Sequence, residues 1–85
     1  MSIKTWNEDS ILSRNGYAAD GSQSDVHRHI KLEGILSKYH NDDDALFEVI
    51  EHFRWLMEDR GDRMPKANAR WKADLEYFCR RMNQR

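Results

Sequence analysis

Between residues 46 and 57, Leu46, Val49, Ile50, Phe53, Leu56 and Met57 form a single apolar stripe. Offsets of three, four, seven, ten and eleven bring side chains to one side of an α-helix and scatter them over both faces of a strand. Asn41 or Asp42 is placed to cap this helix. Asp42, Asp43 and Asp44 lie where the positive end of the helix dipole favours anions, and Gly61 supplies a stop. The pattern predicts a helix over about residues 43–59.

The same reasoning extends outward. Trp71, Leu75, Phe78, Cys79 and Met82 repeat with helical spacing behind Pro65, which a first helical turn tolerates because its missing N–H has no partner there. A helix over about 65–82 follows, and the short connector makes the two an antiparallel hairpin. Upstream, Leu32, Ile35, Leu36 and Tyr39 define a helix over about 25–39 that opens after Ser24 or Asp25. Val26 and Ile30 fall on a different face of that helix, beside Gly34 and Ser37. That face calls for a cover, either the N-terminal segment or a second copy of the chain.

Residues 1–24 are polar and punctuated by Asn15-Gly16 and Asp20-Gly21-Ser22. Thr5 and Glu8 have capping-box spacing, which predicts a short helix over about 6–14 anchored by Trp6, Ile11 and Leu12. Residues 15–24 read as a loop or mobile arm. No segment reads as a β-strand. The expectation is an all-α small helical bundle over residues 25–85, with three main helices, preceded by a partly ordered N-terminal arm.

Eighty-five residues at 39% hydrophobic content make one small domain, with a core whose burial only modestly exceeds the entropy of ordering it. A marginal monomer with a spare apolar face predicts a homodimer through Val26 and Ile30. The one cysteine, Cys79, excludes an internal disulfide and fits a reducing compartment. No run approaches the roughly 20 apolar residues of a membrane span, and the first residues lack a signal-peptide pattern. A cytoplasmic location is expected.

The net charge of −1 conceals a polarised chain. Residues 41–59 carry seven acids against Arg54 alone, whereas residues 60–85 carry eight bases against three acids. Such polarity informs about partners rather than fold. On the helical wheel Trp55 lies nearly opposite the apolar stripe, among Glu48, Glu51, Glu58 and Asp59. Tyr77 lies off its own stripe, near Lys66, Arg70 and Arg81, with Arg80 beside it.

Catalytic motifs are weak. His27 and His29 point about 200° apart on a helix and do not share a metal. His40 and His52 lack zinc-type spacing and read as surface or helix-end residues. Cys79 falls on a buried face, where a thiol is inert. The aspartate run has no apolar pocket to shift its pKa. Arg60-Gly61-Asp62 is a helix end, a stop and a cap. Neither an enzyme nor a cofactor or metal site is expected. The residues favour a protein–protein interaction module, an adaptor, inhibitor or regulator, binding through Glu48, Glu51, Trp55, Glu58 and Asp59. The alternative is nucleic-acid binding through Lys66, Arg70, Tyr77, Arg80 and Arg81. A purely structural assembly subunit is a third option.

Overall fold

The computed structural model of the chain describes residues 10–84. Among these, four helices and no strand make an all-α bundle: α1 (Ile11–Arg14), α2 (Asp25–Lys38), α3 (Asp43–Arg60) and α4 (Pro65–Met82). Side-chain caps open the first three. Ser10 Oγ accepts from the Ser13 amide at 3.2 Å, Ser24 Oγ from His27 at 3.1 Å, and Asp42 Oδ1 from Ala45 at 3.1 Å. Pro65 opens α4. Ser10 itself is extended, so α1 begins after it. The predicted start of a longer helix at Thr5 and Trp6 lies outside the described residues.

α3 and α4 form the hairpin, α2 packs on α4, and α1 bridges α3 and α2. Trp71, Phe53, Phe78, Leu12, Leu32, Ile35, Leu46 and Leu56 fill the centre. Residues 15–24, expected as a loop or mobile arm, are a loop that sends Tyr17 into this core and packs Ala19 against it. α1 ends in a Schellman-type turn, with Gly16 N–H bonding Ser13 O and Tyr17 N–H bonding Leu12 O. Gly16 takes a positive φ of 84° there, a conformation costly for any residue with a Cβ. The turn sends Tyr17 back inward, edge-on to Phe53 at 5.4 Å. Ala19 O then accepts from Trp71 Nε1 at 3.0 Å.

This cover rolls the two hairpin helices away from their apolar stripes. On α3 the buried set is Ala45, Leu46, Val49, His52, Phe53 and Leu56, while Ile50 and Met57 are only half-buried. On α4 it is Ala67, Trp71, Asp74 and Phe78, with Leu75, Cys79 and Met82 half-buried. Each helix is turned by about 50° from the stripe its sequence displays. His52, expected at the surface, is inside as a result.

Asp74 is 1% exposed and Arg28 3%. Asp74 Oδ2 accepts from Tyr17 Oη and from Arg28 Nε, both at 2.6 Å, and Oδ1 lies 3.2 Å from His29 Nε2. Arg28 also donates to Asp25 and to Gln23 O. A buried charge is tolerated only when paired and hydrogen-bonded in this manner. Burial and the bond to Asp74 push the Tyr17 phenol far above its ordinary range.

Candidate functional site

The outer side of α3 carries an open trough of about 500 Å³ lined by Asp44, Phe47, Glu48, Glu51, Arg54, Trp55 and Glu58. Every one of these residues belongs to α3. Phe47 is 60% exposed. Trp55 is half-buried and packs against the core, which departs from the expectation that it faces away from the interior. The roll of α3 brings it partway inward, beside a smaller depression shared with Leu12, Tyr17, Ala19 and His52. The Arg60 guanidinium lies 5.1 Å from its ring centroid. Its indole Nε1 is buried with no hydrogen-bond acceptor among the described residues.

The five residues expected to bind a partner are not equivalent. Glu48 lines the trough, but its Oε2 accepts from the Ile11 amide at 3.0 Å and so serves as an anchor for α1. Asp59 stands outside the trough, held by Arg60 at 3.3 Å and by Arg63 at 4.0 Å. Glu51 has one exposed partner, Arg54, at 3.4 Å. Glu58 and Asp44 form no ion pair among the described residues. Phe47 and Asp44 were missing from the expected site. Phe47 was findable by the wheel that singled out Trp55, because it too falls far from the Leu46–Phe53 stripe.

The alternative cationic set is divided by the fold. Tyr77 Oη donates to Glu33 Oε2 at 2.5 Å, and Arg81 Nε donates to the same oxygen at 2.6 Å. Those bonds, Arg81's first, hold the Glu33 carboxyl below its ordinary value. The bond to Glu33, with burial, pushes the Tyr77 phenol up. The Tyr77 ring stacks on His29 with centroids 4.0 Å apart. Arg70 donates to Ala19 O at 3.3 Å. Only Lys66 and Arg80 of the five stand exposed outside such contacts. These cations thus serve the α2–α4 seam and the 17–21 loop, and the opposite charges of the hairpin do not neutralise the trough.

The remaining candidates are placed as follows. Val26 and Ile30 are 70% and 63% exposed on the outside of α2. His27 is exposed while His29 turns into the seam with α4. His40 is exposed, with its Nδ1 3.0 Å from Ser37 O. Burial pushes the half-buried Cys79 thiol up. Among the described residues no three metal-ligating side chains gather, and no helix is long and apolar enough to cross a membrane. No protein-family model, curated protein or solved structure matches this chain.

Proposed function

We propose that the chain is a small non-catalytic interaction module, an adaptor, inhibitor or regulator, that binds a protein partner through the outer side of α3. One observation carries this reading. An exposed phenylalanine and a half-buried tryptophan share one trough with Asp44 and Glu58, which form no ion pair among the described residues. Aromatic anchors inside a polar rim are the usual anatomy of a protein interface. The exposed Val26 and Ile30 support a homodimer through α2 as a separate feature. A cytoplasmic setting belongs to the same proposal.

The test is a photo-crosslinking amino acid at position 51 of the full chain, activated in the native host. Specific adducts are expected, and Phe47→Glu is expected to abolish them. Phe47 makes few buried contacts, so its circular dichroism and melting midpoint should stay near wild type. Adducts that survive both Phe47→Glu and Glu58→Lys would sink the proposal. For the dimer, Ile30→Glu should halve the molar mass read by light scattering; a monomer before mutation overturns it.

A further inference from the structure

Taking the interaction reading as its basis, we infer that the trough on α3 receives a basic amphipathic helix of the partner protein. The residues around it are ordered in rows. Asp44, Glu51 and Glu58 stand seven apart, and so do Phe47 with Arg54 and Glu48 with Trp55. Seven residues advance a helix by about 10.5 Å with nearly two full turns, so each row runs along one edge of α3. The acidic row spans about 21 Å, close to four turns.

A second helix laid along α3 repeats its own face every seven residues and meets the rows in step. An extended strand repeats a face every two residues, about 6.7 Å, and so misses the middle carboxylate of a row spaced at about 10.5 Å. Charge selects the kind of helix. Four carboxylates and a single guanidinium line the trough, and Asp44 and Glu58 have no ion pair among the described residues. A phosphate backbone is repelled by this face. Lys or Arg at seven-residue intervals satisfies it, and an apolar side chain between them reaches the Phe47 ring and the Trp55 indole edge.

The experiment uses three synthetic peptides of about 21 residues, three heptads. One carries Lys at each seventh position beside a Leu row. One has the same composition with the Lys residues spread around the helix. One carries Glu in place of Lys. Each is titrated into the full chain by calorimetry at low and moderate salt. The patterned peptide should bind, weaken with salt, and lose about tenfold in affinity against Glu51→Lys/Glu58→Lys. Glu76→Lys on α4 should leave its affinity unchanged.

Equal binding of the patterned and dispersed peptides, or no binding of either, overturns the inference. The photo-crosslinker at position 51 separates this failure from the failure of the interaction reading. Adducts that Phe47→Glu abolishes, found together with inert peptides, leave a partner that is not a basic helix. Adducts to a second copy of the chain, or to its own residues 1–9, assign the trough to the chain itself and overturn both.

Discussion

Asp74 shows how much a single residue can hide. It reads as one of three acids in a basic stretch, yet its carboxylate joins Tyr17, Arg28 and His29 at the meeting of three segments. Its placement was partly legible. Asp74 lies three and four residues from Trp71 and Phe78, and Arg28 shares the α2 face of Leu32 and Ile35. A wheel drawn through apolar residues alone skips both. Tyr17 was not legible, because Gly16 turns it inward through a backbone geometry that carries no periodic signal. Asp74→Asn keeps the shape but leaves Arg28 with the exposed Asp25 as its one charged partner among the described residues. It should destabilise the fold by about 3 kcal/mol, read as a lower urea midpoint at unchanged slope. Tyr17→Phe removes one hydrogen bond to a buried charge and should cost about 2 kcal/mol by the same measurement.

The three main helices were readable to within about a residue at most ends, because their signals are local: Ser24 and Asp42 as caps, Pro65 at a first turn. Their rotations were not readable. A stripe of apolar residues states which side can be buried, while the covering segments decide which side is buried. Here α1, Tyr17 and Ala19 cover one flank of the hairpin and draw His52 and Asp74 inside, leaving Ile50 and Leu75 at the margin. That roll also changes which rings face outward on α3. Trp55 moved inward, and Phe47 is the exposed ring that remains. Gly61 follows the last residue of α3, as expected of a stop, and its backbone there is right-handed, with φ −58°. The position requires glycine because a Cβ there would overlap the Met57 carbonyl oxygen and lie 2.6 Å from Asn68 Oδ1. Gly61→Ala should therefore destabilise by about 1–3 kcal/mol through crowding at the hairpin bend. Should thermal melts show the alanine variant equal or better, the close approach is not limiting.

Seen over the whole molecule, two kinds of titrating contact hold the helices together, and they act at opposite ends of the pH scale. Glu33 on α2 is held below its ordinary 4.5 by Arg81 and Tyr77 on α4. A carboxylate depressed in the folded state contributes stability that is present above 4.5 and lost as pH falls through the lower folded value. Tyr17 and Tyr77 are raised above their ordinary 10.0. Their contribution is intact below pH 10 and is lost as pH rises through the higher folded values. Stability should therefore form a plateau bounded by two different sets of residues, which melting midpoints measured from pH 3 to 11 will separate. Glu33→Gln should lower the plateau, and its difference from wild type should shrink as pH falls below about 4.5, where the unfolded carboxyl takes up a proton that the folded carboxyl binds only at lower pH. Tyr17→Phe should start lower but decline less steeply than wild type above pH 10. On the outer side of α3, Glu51 has an exposed pair with Arg54 and Glu58 has no ion pair among the described residues, so Glu51→Lys/Glu58→Lys should leave the melting midpoint at neutral pH near wild type. If that double variant lowers the midpoint by several degrees instead, the outer side of α3 is engaged in holding the fold and is not free to bind a partner.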